Sequence, residues 1–194
     1  IPGADRWTVP VKPIAGLGRR WLDFVAEKKS WLGPLGIVVI GGGAGGVELA
    51  LAIDHRLRRE APAATVSVTL ATRDEILPGQ APAARRLLRA AMQRRGIALR
   101  EHAPVEQVER GAVRIGTDWL HADAVFLVTE ASAPAWLRDT GLPLDPRGFL
   151  AVRDTLQSAG DDAVFAAGDC ATVTDHPRPK AGVFAVRQGP PLAD

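Results

Sequence analysis

Gly36-Ile-Val-Val-Ile-Gly-Gly-Gly-Ala-Gly-Gly-Val-Glu-Leu-Ala50 is the stretch that decides how this chain folds. A short β-branched run leads straight into Gly41, Gly43 and Gly46, spaced G-x-G-x-x-G, and a helical pattern follows. Strand, glycine loop and helix in that order predict a dinucleotide-binding turn. The first glycine lets the chain turn sharply off the strand. The second lets a pyrophosphate reach the backbone where a Cβ would collide, and the third lets the helix pack against the strand. Ala44 and Gly45 lie between them, where a helix N-terminus offers unpaired N–H groups and partial positive charge to phosphates.

Outward from the loop, residues 47–59 read as the first helix and 65–71 as the second strand. Pro82 in a first helical turn, then Leu87, Leu88, Ala91 and Met92, then Gly96, predict another helix with sound start and stop signals. Residues 97–100 follow as the third strand. The pattern then changes to short runs at 105–110, 112–115 and 119–121, broken at Gly111 and at Gly116-Thr117-Asp118, which predict an antiparallel meander. Residues 124–129 return as an apolar strand suited to burial in a parallel sheet. The implied fold is α/β, a Rossmann-like doubly wound parallel sheet with a three-stranded antiparallel meander. A Pro/Gly-rich stretch, 141–148, leads to a second region in which 164–167 reads as a strand ending in Gly168-Asp169. Residues 1–35 are rich in Pro, Gly and Trp, with one short helix over 19–29. The chain opens on Ile1-Pro2-Gly3 without a Met, so it is expected to be a piece of a longer protein.

Composition narrows the function classes. There is no Tyr among 194 residues, so the core must be largely aliphatic. The net charge of +2 comes mostly from helical arginines such as Arg56, Arg58, Arg59, Arg85, Arg86, Arg89, Arg94 and Arg95. No aromatic residues interleave them as a stacking surface requires, so they read as solvated faces and no nucleic-acid partner is expected. Cys170 is the only cysteine, which excludes an internal disulfide and a C-x-x-C pair within the chain. Residues 32–53 are apolar enough to suggest a membrane span, but their middle is glycine-rich and contains Glu48, so strand, loop and helix explain them better. His55, His102, His121 and His176 show no ligand spacing, and no metal site is expected.

Three stretches together resemble the pyridine nucleotide–disulfide oxidoreductase superfamily, and within it the type II NADH dehydrogenase-like branch. They are the glycine loop followed by Val47-Glu48-Leu49-Ala50, then Ile76-Leu77-Pro78-Gly79, then Val164-Phe165-Ala166-Ala167-Gly168-Asp169-Cys170-Ala171 preceded by Thr155. More narrowly, Pro10-Val11-Lys12-Pro13-Ile14 and the run from Arg178 to Gly189 resemble the module sometimes fused to selenophosphate synthetase (selenide, water dikinase). In this superfamily an NAD(P)H domain is inserted into an FAD domain whose own glycine loop lies upstream. The resemblance therefore implies that 1–35 enters from the FAD domain, 36–145 is the NAD(P)H-binding domain, and 146–194 is a returning part of the FAD domain. The FAD site would be incomplete in this chain and would need the rest of the parent. The fragment is accordingly expected to be inactive alone, while the parent passes hydride from NADH or NADPH to FAD and on to a quinone or other acceptor.

The resemblance also assigns residues. Gly168 and Asp169 would meet the flavin's ribityl chain or its link to the pyrophosphate, with a turn or cap as the plain alternative for the aspartate. Glu48, the one candidate for a catalytic contact, would sit near the nicotinamide, or else merely complement the dipole in the first turn of its helix. Lys180 falls where the chain passes the flavin ring, with an exposed loop lysine as the alternative. Two positions depart from the family pattern. Ala71 stands where an NAD site carries a ribose-binding acid; Thr72 and Arg73 follow, and Arg73 is suited to a 2′-phosphate. Thr129 is followed by Glu130 where relatives have glycine; its charge near a pyrophosphate would cost on the order of 1–4 kcal/mol if close, and nothing if turned outward. These departures support a second expectation, a non-catalytic nucleotide-sensing or interaction module that regulates a fused or partner enzyme. Pairing of two copies across exposed strand edges is a further expectation, as is a cytoplasmic location, peripheral to the inner membrane face in the intact protein.

Overall fold

The computed structural model describes residues 1–11, 14–128, 133–178, 180 and 182–193. The chain divides into two compact units, Ile1–Thr129 and Glu130–Asp194.

In the first unit the elements run α1 (Ala4–Trp7), β1 (Val9–Pro10), α2 (Ile14–Lys28), β2 (Pro34–Ile40), α3 (Ala44–Glu60), β3 (Thr65–Ala71), α4 (Pro82–Arg95), β4 (Ala98–Arg100), β5 (Val105–Glu109), β6 (Ala112–Ile115), β7 (Asp118–His121) and β8 (Ala124–Leu127). Five strands form a parallel sheet in the order β1-β8-β2-β3-β4, and β5-β6-β7 form the antiparallel meander. The expected α/β architecture is what forms.

Successive residues of a strand point to opposite faces, and β2 is covered on both. Leu35, Ile37 and Val39 pack with Val47, Ala50, Ile53 and Leu57 of α3, Met92 of α4, and Phe126. Val38 and Ile40 pack on the other side with Val108 and Val113 of the meander, Ala4 and Val125. This double cover is why the strand reads as an unbroken apolar run. α4 keeps its predicted punctuation. Pro82 lies in its first turn, and Gly96 (φ +72°) caps it by donating to the carbonyls of Met92 and Gln93.

α2 begins at Ile14, five residues before the helix read from the sequence, and α1 and β1 are absent from that reading. Val9–Pro10 pairs in parallel with Phe126 and Leu127, a two-residue contribution whose proline is tolerated because it lies on the sheet edge. α3 also begins earlier than expected, at Ala44 inside the glycine run.

The second unit contains β9 (Leu150–Val152) and β10 (Ala171–Val173), paired in parallel, and α5 (Gly182–Ala193), all three absent from the sequence reading. Leu150, Val152, Leu156 and Ala171 form its core. The Pro/Gly-rich 141–148 stretch is part of this unit. Asp145 and Phe149 close a turn with Gly148 at φ +86°, and Leu144 bridges Leu150. The predicted strand over 164–167 does not form. Phe165 makes one isolated bridge to Gln157; Ser158 donates to the carbonyl of Val164, and Ala166 to that of Leu156. The extended backbone is thus taken up locally by 156–158, without a ladder. No helix of the described residues is long and apolar enough to cross a membrane.

The tightest approach in the first unit is at Gly46, where a Cβ would lie 1.8 Å from the carbonyl oxygen of Gly41. Gly46→Ala is expected to destabilise the unit by about 3 kcal/mol or more, read as a lowered urea midpoint.

Candidate functional site

The glycine loop sits at the carboxyl ends of the parallel strands. Gly41 leaves β2 with φ +126°, a conformation that favours glycine, and donates its N–H to the carbonyl of Ala71 at 2.9 Å. Gly42 is buried, and a Cβ there would lie 2.5 Å from the Thr72 hydroxyl oxygen. Gly43 is exposed and caps α3 with extended backbone (φ −67°, ψ 176°); a Cβ on it would meet no protein atom within 4 Å. The first inward bonds of α3 are donated by Gly46 and Val47 to the carbonyl of Gly43, at 3.1 Å each. The amides of Ala44 and Gly45 precede those bonds, at the end of the helix that attracts anions. The loop therefore has a closed side at Gly42 and Gly46 and an open side at Gly43, Ala44 and Gly45. That arrangement fits a pyrophosphate lying against backbone N–H groups.

The sequence candidates separate accordingly. Gly41, Gly43, Ala44, Gly45, Gly46 and Thr72 are brought together. Thr72 is buried, with backbone bonds to Arg100 and Ala103, and contributes its side chain beneath Gly42. Ala71 is fully buried and presents only a methyl group at the end of β3. Of the acids beyond it, Glu75 is ion-paired with Arg85 and with Arg89, and Asp74 is exposed on the loop. Arg73 is exposed and makes no ion pair among the described residues. Glu48 is exposed on α3. Because the helix starts at Ala44, this acid falls in the second turn and not the first, which removes the dipole explanation, an effect confined to the first turn. Thr129 and Glu130 lie outside the described residues.

Four residues that brace the loop were not among the sequence candidates. Leu77 (φ +52°) donates to the carbonyl of Gly42 at 2.7 Å. Ile76 donates to Glu101 Oε1 at 2.7 Å, and Arg89 holds that carboxylate through Nη2 and Nε at 2.7 and 2.8 Å. The Arg89 hydrogen bond, followed by the Ile76 amide, holds the Glu101 carboxyl below its ordinary value against the opposing effect of burial. The Ile-Leu-Pro-Gly motif was a signal for Leu77; nothing in the sequence links it to Glu101 or Arg89.

In the second unit Gly168, at φ +75°, and Asp169 belong to a 3-10 turn that leads into β10. Gly168 donates its N–H to Gln188 Oε1 of α5 at 2.6 Å. Gly168, Asp169, Thr172, Lys180, Phe184 and Gln188 line a common cleft. Lys180 does not point to solvent. Its Nζ donates to the carbonyl of Ala171 and to Thr172 Oγ1, and lies 4.2 Å from the centre of the Phe149 ring. The Thr172 hydroxyl in turn donates to Asp145 Oδ2 at 2.8 Å, while Asp145 Oδ1 accepts the N–H groups of Arg147 and Phe149. Burial pushes the Lys180 ammonium below its ordinary value, with the Asp145 charge working against it. Burial would raise Asp145; the Thr172, Phe149 and Arg147 hydrogen bonds outweigh that and leave it lowered.

A model of the pyridine nucleotide-disulphide oxidoreductase family matches residues 4–189. The chain belongs to this family. Structures similar to it include reduced CoADR-RHD of Bacillus anthracis, 23% identical with a TM-score of 0.78, covering 100% of this chain and 34% of that one. An FAD-dependent pyridine nucleotide-disulphide oxidoreductase of Desulfovibrio vulgaris is 26% identical with a TM-score of 0.72, covering 98% and 48%. An engineered water-forming NADPH oxidase bound to NADPH is 21% identical with a TM-score of 0.73, covering 99% and 42%. It is a mutant of a Lactobacillus brevis NADH oxidase, and its replacements include an aspartate by alanine and the next residue, alanine, by arginine. The chain thus spans less than half the length of each of these relatives. No curated protein sequence matches it.

Asp145 has a folded-state pKa below its unfolded value, so its contribution is present above the ordinary carboxylate range and is lost as pH falls through the folded value. Asp145→Asn is expected to cost about 1–3 kcal/mol at neutral pH. The gap to the unsubstituted chain should narrow as pH falls below about 5, as followed by urea unfolding at each pH.

Proposed function

We propose that this chain is the nicotinamide-nucleotide portion of an FAD-dependent oxidoreductase, with a partial flavin site in its second unit. The carrying observation is the asymmetry of the glycine loop: space beside Gly43, and none at Gly46 or Gly42. The family membership and the NADPH-bound relative support the same reading. The first unit from residue 36 onward would form the nucleotide domain, with 1–35 entering from a flavin domain and the second unit, from Glu130, returning to it.

When bound, the nicotinamide and FAD supply the hydride chemistry. The protein's part is to position them and exclude competing contacts. The amides of Gly43, Ala44 and Gly45 would receive the pyrophosphate, with the start of α3 adding its partial positive charge. Glu48, one turn along, would face the carboxamide end. Gly168 and Asp169 would meet the flavin's linker. Lys180 would serve the flavin side through the Ala171 carbonyl and the Thr172 hydroxyl that it holds.

The nucleotide we assign is NADPH. At the end of β3 the ribose acid is replaced by the buried methyl of Ala71, Glu75 is occupied by Arg85 and Arg89, and Arg73 is exposed. An exposed arginine that makes no ion pair among the described residues, two positions after the methyl of Ala71, suits a 2′-phosphate. In the engineered relative bound to NADPH an aspartate is replaced by alanine and the adjacent alanine by arginine. A quinone or other acceptor, a fusion to selenophosphate synthetase, pairing of copies through strand edges and attachment at the inner membrane face belong to the parent protein in this reading.

Titration with NADPH and NADH, followed by energy transfer from tryptophan to the nicotinamide, tests the assignment. NADPH is expected to bind more tightly, and Arg73→Ala to weaken NADPH by about tenfold or more while leaving NADH little changed. Saturable NADH binding without a preference for NADPH would refute the role of Arg73; no binding of either would favour the non-catalytic sensing or interaction module. Gly43→Ala should fold with an unfolding midpoint near that of the unsubstituted chain, yet bind NADPH about tenfold or more weakly, measured by the same titration.

A further inference from the structure

The glycine loop is braced from α4 by a chain of directed contacts. Leu77, 6% exposed and at φ +52°, donates its N–H to the carbonyl of Gly42 at 2.7 Å. The residue before it, Ile76, is fully buried and donates to Glu101 Oε1 at 2.7 Å. Glu101 is gripped on both oxygens by Arg89. Beside that pair stands Glu75, 3.6 Å from Arg89 and paired with Arg85.

The geometry matters because a trans peptide is planar, with its C=O and N–H pointing in opposite directions. The carbonyl of Gly42 and the N–H of Gly43 belong to one peptide group. Anchoring that carbonyl on Leu77 therefore aims the Gly43 N–H away from Leu77. Glycines on both sides leave this peptide few steric barriers to turning over. If it turned, a carbonyl oxygen would take the place of the N–H. Leucine seldom adopts positive φ, so the Leu77 N–H needs an external hold to stay on Gly42, and the Ile76–Glu101 bond one residue earlier supplies it.

We propose that Glu101, oriented by Arg89, is a positioning residue for nucleotide binding: through Ile76 and Leu77 it fixes the Gly42–Gly43 peptide with its N–H available to phosphate. This rests on the reading of the loop as a dinucleotide site. Glu101 touches no nucleotide in this scheme. Its loss should lower affinity without removing any group that contacts the ligand.

The test uses the full chain with Glu101→Gln and Glu101→Ala, and Asp123→Asn as a comparison. Asp123 accepts the Gly36 N–H at 2.8 Å, at the opposite end of β2 from the loop. Two quantities are read: amide hydrogen exchange at Leu77 by NMR, without ligand, and NADPH affinity by energy transfer. Glu101→Ala is expected to speed Leu77 exchange by about tenfold or more and to weaken NADPH by about tenfold. Glu101→Gln should fall between, and Asp123→Asn should leave both unchanged at the loop. Leu77 exchange unchanged in Glu101→Ala would overturn the proposal, as would faster exchange with unchanged affinity, or an equal loss of affinity in Asp123→Asn. If the unsubstituted chain binds neither NADPH nor NADH, the dinucleotide reading itself fails. The ligand-free exchange then still decides whether Glu101 holds the loop.

Discussion

α3 can meet the end of β2 only because Gly46 has no side chain, its missing Cβ lying 1.8 Å from the Gly41 carbonyl oxygen. That contact sets the direction in which the helix leaves the loop. It lets Val47, Ala50, Ile53 and Leu57 lie along one face of the sheet, opposite Ile37 and Val39. It also leaves the first amides of α3 beside the loop at the strand ends. Core packing and ligand geometry are thus two outcomes of one close approach. The helix is long enough to bury an apolar stripe, and its N-terminus cannot be displaced without disturbing that stripe.

The second unit relies on a different principle. Its parallel ladder is only three residues long on each side, and its small core is supplemented by a polar chain running from Lys180 through Thr172 to Asp145. Every link has a donor and an acceptor in the correct sense. Such a chain is directional and orders the turn bearing Asp169, but it has the pH sensitivity of its charged ends. The first unit has a charged pair of its own in Arg89 and Glu101, set beside backbone ladders and aliphatic contacts.

What could be read from sequence follows the range of the physics involved. β2, α3 and β3 were legible because their signals are local: glycine spacing, β-branched runs, and a helical period. The meander was legible from its turns at Gly111 and Gly116. β1 was not, since Val9 and Pro10 carry no period and become a strand only by lying beside Phe126 and Leu127. Residues 164–167 misled because an apolar run resembles a buried strand whether or not a ladder awaits it; here Leu156 and Ser158 take up part of its hydrogen bonding. Within the site, the glycines and Thr72 were legible. Glu101 was not, because its role depends on a side chain twelve residues away in α4 and on an amide 25 residues away at Ile76. Lys180 could be placed near the cleft, but the inward turn of its ammonium group depends on Phe149 and Thr172, which no motif connects to it.

The strand order also has a consequence for how the chain comes together. β2 and β3 are neighbours in sequence as well as in the sheet, with Pro34 opposite Thr65 and Ile40 opposite Ala71, so their pairing closes a short loop. β1 is the reverse: Val9 lies beside Phe126, and Pro2 accepts a hydrogen bond from Val108. Closing loops of that length carries a larger entropic cost and must follow the contacts that make it worthwhile. The residues of β1 are therefore among the last that the sheet can accept, and during folding they wait for β8 to complete the edge on which they dock.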